Sequence, residues 1–110
     1  EIAQAMVHGD KRPYLVAVVV PKPETIEAVA KAKGVAADLG ALAGEPDLIE
    51  KIEAAIERAN AKLPQPERVR RFLIATQAFT IENEQMTPTL KVRRHIVRGV
   101  YGDRLEALYG

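Results

Sequence analysis

The sequence has no cysteine and no tryptophan, and its 110 residues hold only two phenylalanines and three tyrosines. Without cysteine, disulfides, thiol nucleophiles and thiolate metal sites are all excluded, and the composition suits a reducing compartment. No apolar run approaches the ~20 residues that a membrane-spanning helix needs. Neither sign of charge dominates: 16 Lys and Arg stand against 15 Asp and Glu, a net charge of +1. So small an excess does not announce a nucleic-acid protein. The common catalytic signatures are missing as well. There is no G-x-x-x-x-G-K-[ST] phosphate loop, no G-x-G-x-x-G, no H-E-x-x-H and no G-x-S-x-G.

What remains is the composition of one ordinary domain, 47% hydrophobic and 28% charged, with enough apolar residues to build a core without staples. The chain opens in mid-pattern at Glu1-Ile2-Ala3-Gln4 with no initiating Met, and we expect it to be a piece of a longer protein. Its charge is uneven. Residues 1–60 carry 7 Lys/Arg and 10 Asp/Glu, or −3, and residues 61–110 carry 9 and 5, or +4. The basic second half would suit an anionic ligand.

Ile2 to His8 is a short apolar stretch of strand character. Tyr14 to Val20 is a β-branched run, which predicts a strand buried on both faces and ended by Pro21 and Pro23. The cluster His8-Gly9-Asp10-Lys11-Arg12-Pro13 reads as a turn that lets the two strands pair as a hairpin. Glu24 to Lys33 predicts a helix entered at Pro23 and ended by Gly34. Val35 to Ala43 is a short helix or a loop. Leu48, Ile49, Ile52, Ala55, Ile56, Ala59 and Leu63 recur at helical spacing, and Pro64 stops that helix. Val69 to Ala75 predicts another strand, with Ala78–Ile81 a candidate extension of the sheet. Glu82–Gln85 is a polar turn. Met86 to Lys91 is expected to be extended, since Pro88 disfavours helix at Thr87, and a helix follows from Val92. This order predicts an α+β fold, a small antiparallel or mixed sheet with about three helices packed on it.

Few residues suggest chemistry on their own. His8 and His95 are isolated and fit surface histidines better than metal ligands or bases. Asp10 has Lys11 and Arg12 in reach within a solvated turn. Arg68, Arg70 and Arg71 flank the Val69 strand, and alternation would put Arg68 and Arg70 on one solvated face. Lys91, Arg93, Arg94, His95 and Arg98 crowd the start of the last helix. On a helix from Val92, Arg94 and Arg98 share a face, as do Lys91 and His95. Cations there oppose the helix dipole, which hints at an anion or an acidic partner. Thr87-Pro88-Thr89 would hold an extended segment with Lys91 at its end. The residues leave two readings open: an ordinary polar turn, or a compact cation delivered into a neighbouring cleft.

Gln85-Met86-Thr87-Pro88-Thr89-Leu90-Lys91-Val92-Arg93-Arg94 resembles the C-terminal signature of AMP-forming long-chain fatty acid–CoA ligases, members of the adenylate-forming superfamily. The run from Ile2 to Ala17 is similar to the opening of the same domain. Ala59–Leu63, Phe79–Asn83 and Tyr101–Tyr109 resemble further family blocks in order, so the likeness covers nearly the whole chain. Three departures fall in the turn. Glu84 stands where the family often has Gly, Gln85 where it has an acidic residue, and Met86 where Leu is usual.

The resemblance implies a single C-terminal lid domain over residues 1–110, with the hinge and the N-terminal adenylation domain outside this sequence. The full ligase would join a fatty acid to ATP, releasing pyrophosphate, and CoA would then displace AMP to give the acyl-CoA. ATP and CoA are its substrates, and Mg2+ would be bound with ATP in the adenylation domain, none by this domain alone. Lys91 is then the catalytic lysine of adenylation, carried by the substrate loop Thr87, Pro88 and Thr89. The domain would swing between two poses, and by itself it would be inactive. The implied location is the cytoplasm, with peripheral membrane association open to the full enzyme. The competing reading is a small basic module that binds RNA or an acidic protein through Arg68–Arg71 and Arg93–Arg98. Against it stand the near-neutral charge and the lack of an aromatic stacking platform, since Phe72 and Phe79 read as core.

Overall fold

Two strands, three helices, a third strand and a fourth helix follow one another in a computed structural model that describes residues 1–9, 12 and 14–109. Most of the predicted turn between the first two strands, Asp10, Lys11 and Pro13 with any pairing of Asp10, lies outside the described residues. The strands are β1 (Ile2–His8), β2 (Leu15–Pro21) and β3 (Val69–Ile74). The helices are α1 (Pro23–Lys33), α2 (Leu39–Leu42), α3 (Pro46–Asn60) and α4 (Arg94–Ala107).

The sheet has the order β1-β2-β3, with β1 antiparallel and β3 parallel to β2. The fold is thus α+β with a mixed sheet, and the single turn of α2 makes a fourth helix. The central strand explains the valine run. Val16, Val18 and Val20 face Met6, Phe79 and the α4 residues Val97, Tyr101 and Leu105. Ala17 and Val19 face Val29 and Ala30 of α1, Leu48 and Ile52 of α3, and Ile74. Period-two alternation sends neighbouring residues to opposite faces, and both faces are covered. The parallel β2–β3 pairing needs a long crossover, which α1, α2 and α3 supply.

Local chemistry sets the helix ends. Pro23 and Pro46 sit in the first turns of α1 and α3, where the missing N–H costs nothing. Gly34 ends α1 at φ 70°, and the Val35 amide donates to the Ala30 carbonyl at 3.0 Å. That left-handed stop suits glycine. Lys33 then reaches Glu45 at 3.0 Å and Asp47 at 3.2 Å, tying α1 to the start of α3. Hydrogen bonds to Glu45 and then to Asp47 raise the pKa of this lysine.

Two expectations are corrected. The α3 helix stops at Asn60 rather than at Leu63, which is exposed. The Asn60 side chain accepts from the Val69 amide at 3.0 Å and donates to its carbonyl at 2.8 Å. It thereby fastens the helix end to β3. Residues 78–81 do not extend the sheet. The backbone of Phe79 pairs instead with the Gln4 side chain, at 2.9 Å both to its amide and to its carbonyl. A side-chain amide from β1 supplies the donor and acceptor that a neighbouring strand would have given.

Candidate functional site

The segment that carries Lys91 leaves the core at Phe79, which is buried at 3% exposure. A closed turn follows. The Asn83 side chain accepts from the amides of Thr80 and Gln85, each at 3.0 Å, and donates to the Ala78 carbonyl at 2.9 Å. The Thr80 hydroxyl accepts from the Asn83 amide at 3.0 Å. This reciprocal arrangement is the one a capping box uses at a helix start. Glu84 takes φ 66°, a left-handed conformation in which glycine would be relaxed.

The chain then turns back on itself. The Leu90 amide donates to the Thr87 carbonyl at 2.8 Å, and the Thr87 amide donates to the Lys91 carbonyl at 2.8 Å. Met86 and Val92 form an antiparallel bridge. Pro88 occupies the second position of this turn, where its fixed φ is pre-set. Leu90 follows at φ 62°. A tight turn closed by one left-handed residue is the usual three-residue hairpin loop. The Thr87 hydroxyl tightens it, accepting from the Lys91 amide at 3.1 Å and lying 3.0 Å from the Thr89 hydroxyl. The segment Met86–Lys91 is therefore a hairpin where an extended segment was expected. Proline disfavours helix at Thr87, but it permits either an extended segment or a turn.

Both limbs of the hairpin are grounded. Met86 and Val92 pack on the cluster beneath α4, and the Arg93 amide donates to the Gln85 carbonyl at 2.8 Å. Lys91 lies between them and is exposed. Among the described residues its ammonium makes no ion pair or hydrogen bond. The arrangement is a fixed stem holding an uncommitted cation, next to a helix start with no acidic residue in its first turn. Such a site can meet a dense negative charge with little reorganisation.

The sequence model of the AMP-binding enzyme C-terminal domain matches residues 1–110. The chain belongs to that family. The long-chain fatty-acid–CoA ligase FadD15 of Mycobacterium tuberculosis is 37% identical over 110 residues, which cover 98% of this chain and 18% of the ligase. Human long-chain fatty-acid–CoA ligase 6 is 32% identical over 111 residues, 98% of this chain and 16% of that protein. Among solved structures, the adenylation domain of a carboxylate reductase from Mycobacterium chelonae superposes with a TM-score of 0.77 at 34% identity. That match covers 98% of this chain and 15% of the other. The chain thus spans under a fifth of the length of these relatives.

The C-terminal domain brings some of the predicted residues together and separates others. Thr87, Pro88, Thr89 and Lys91 share one hairpin. The α4 helix begins at Arg94, so Lys91 lies off the helix and shares no face with His95. Arg94 has a structural partner, donating from Nη2 to the Val7 carbonyl at 2.6 Å. The Arg68–Arg71 group is also largely engaged. A register shift between Leu15 and Val16 leaves Arg70 as an extra residue in β3, so Arg70 and Arg71 are both exposed and strict alternation fails. Arg68 donates to the Leu63 carbonyl and Arg71 to the Leu108 carbonyl, each at 2.9 Å, and the Arg70 guanidinium lies 5.8 Å from the Tyr14 ring centroid. His8 Nε2 sits 2.8 Å from the Glu106 carboxylate, which also pairs with Arg12. Tyr109 covers this group, its hydroxyl 3.0 Å from the Tyr14 carbonyl and 3.2 Å from the His8 carbonyl. Burial pushes the Tyr109 phenol pKa up, against the pull of Arg12. Reasoning from sequence missed Asn83 and Gln4 as anchors of the hairpin. The Thr80-x-x-Asn83 spacing was the available signal for the first.

Proposed function

We propose that this domain is the mobile C-terminal part of an AMP-forming long-chain fatty acid–CoA ligase, and that Lys91 serves its adenylation step. The observation that carries the proposal is an ammonium uncommitted among the described residues, on a hairpin braced by Asn83 and the Met86–Val92 bridge. Likeness to fatty-acid–CoA ligases over 98% of the chain supports the substrate class. When a fatty-acid carboxylate attacks the α-phosphorus of ATP, two anions must approach. A preorganised cation placed between them offsets their repulsion and the charge of the transition state. Thr87, Pro88 and Thr89 fix the backbone from which that cation extends. The acyl pocket and the rest of the ATP site belong to an N-terminal adenylation domain, which is the domain's partner. Rotation of this domain would then withdraw Lys91 and admit CoA.

ATP and CoA enter as substrates, with Mg2+ accompanying ATP in the adenylation domain. Among the described residues, no three His, Cys, Asp or Glu side chains gather to hold a metal ion. Among them, too, no helix is long and apolar enough to cross a membrane. From the family likeness, and not from that absence, we propose a cytoplasmic location for the full ligase, with peripheral membrane association open to it.

The full-length protein, given fatty acid, ATP and CoA, should release AMP and form acyl-CoA. Failure to form an acyl-adenylate would overturn the proposal. A specific observation favours one second reading. A carboxylic acid reductase from Segniliparus rugosus is also 37% identical, over 109 residues. Acyl-adenylate formation without transfer to CoA would favour that reading.

A further inference from the structure

The hairpin tip has a property that the lysine does not explain. Leu90 is the most exposed of the large hydrophobic residues described, at 68%. It also holds φ 62°, a conformation that glycine adopts freely and asparagine tolerates but that crowds the Cβ of leucine. Within this domain the leucine side chain therefore receives little burial to offset its backbone strain. A turn residue selected for the loop alone would be Gly or Asn. Lys91 follows directly, on a backbone fixed by Thr87.

We infer that Leu90 is a docking residue, whose side chain is buried against the adenylation domain of the same ligase when the Lys91 hairpin closes on the reacting groups. This inference rests on the function proposed above. The occupant is argued from the similar structures: the chain covers 14–16% of solved chains whose descriptions name an adenylation domain or a didomain containing one. A leucine buried on closure favours the closed pose in proportion to the apolar area removed from water. It also excludes water beside the ammonium, which strengthens the attraction of Lys91 for phosphate and carboxylate oxygens. Leu90 would act through the pose and through Lys91 without touching the reacting atoms, so it is a positioning residue.

The test uses the full-length ligase with Leu90→Gly, Leu90→Asn and Leu90→Met, and reads each half-reaction in single turnovers. Gly and Asn relax the backbone and remove the apolar group, so melting should be unchanged or higher. Acyl-adenylate formation should nonetheless fall about 10-fold or more, the equilibrium value of one buried leucine side chain. Met keeps apolar bulk and should restore the rate to within about twofold. Thioester formation from supplied acyl-adenylate should be unchanged in all three. Adenylation at the parent rate in the Gly and Asn variants would overturn the inference, as would a Met variant as slow as the Gly variant. Equal loss in both half-reactions would do the same. Loss of self-association in sedimentation, with adenylation intact, would assign the leucine to a second copy instead. Lys91→Ala, run in parallel, separates the two claims. If it slows adenylation while the Leu90 variants do not, only the docking role fails. If it has no effect, the underlying function fails.

Discussion

Replacing Asn83 with alanine tests whether the turn behind Lys91 is held as described. The substitution removes three side-chain hydrogen bonds, those from the Thr80 and Gln85 amides and the one to the Ala78 carbonyl. The losses are unequal. The Gln85 amide keeps the Thr80 carbonyl at 3.1 Å as a second acceptor, and the Ala78 end is exposed, so water replaces the donor there. The Thr80 amide loses the acceptor given to it and is only half-buried. With net values of about 0.5–1.5 kcal/mol per bond, we expect Asn83→Ala to destabilise the domain by about 2 kcal/mol. Asn83→Asp keeps both acceptor contacts and should cost roughly half as much. Urea denaturation of the domain reads both, at unchanged m-value. In the full-length protein, adenylation should fall at temperatures where the domain stays folded, because the hairpin loses its brace. A change below about 0.5 kcal/mol for Asn83→Ala, the level of an ordinary surface substitution, would refute the reasoning.

Two further outcomes follow from the packing at the other end of the sheet. A Cβ built on Gly9 would lie 2.5 Å from Leu15 Cδ2 and 3.1 Å from both the Leu15 Cα and the Tyr14 carbonyl oxygen. The side-chain tip can move but the backbone cannot, so Gly9→Ala should cost about 1–3 kcal/mol by denaturation; no cost would show that β1 and β2 part more easily there than their pairing implies. Burial raises the Tyr109 phenol pKa, so the folded state holds that proton more tightly than the unfolded chain. Its contribution is complete below the unfolded value of about 10 and is lost as pH rises through the folded value. Stability measured against pH should therefore fall more steeply above about pH 10 in the parent than in Tyr109→Phe, and identical slopes would count against it.

The elements that were legible in the sequence are those written locally. The valine run of β2 announced a strand covered on both faces. Pro23 and Gly34 marked both ends of α1, and apolar spacing marked α3. The missed features depend on distant partners or on unfavourable residues. Gln4 meets Phe79 across 75 positions, a contact no local pattern encodes, and it decides that residues 78–81 leave the sheet. The extra residue at Arg70 breaks alternation without a Gly or Pro to mark it. The α4 start lies at Arg94 because Val92 is held in the antiparallel bridge to Met86, and Arg93 offers no side-chain cap. The hairpin stayed hidden because Leu90 holds a left-handed position that residue preference assigns to Gly or Asn. Lys91, by contrast, stands out in the sequence through its neighbours in the Thr87–Arg94 run; the structure adds that it is exposed and that, among the described residues, its ammonium has no hydrogen-bond or ion-pair partner.

The most direct measurement is Lys91→Ala in the full-length ligase, with the two half-reactions assayed separately. Removing one preorganised cation from the transition state should slow acyl-adenylate formation by about 10²-fold or more. Thioester formation from supplied acyl-adenylate should be much less affected, since in the proposed second pose the hairpin would have left the reacting groups. The fold should survive, because an exposed lysine changed to alanine moves stability by about 0.5 kcal/mol or less. Equal losses in both half-reactions would contradict the division of labour assigned to the domain. No loss in either would make Lys91 an ordinary surface lysine.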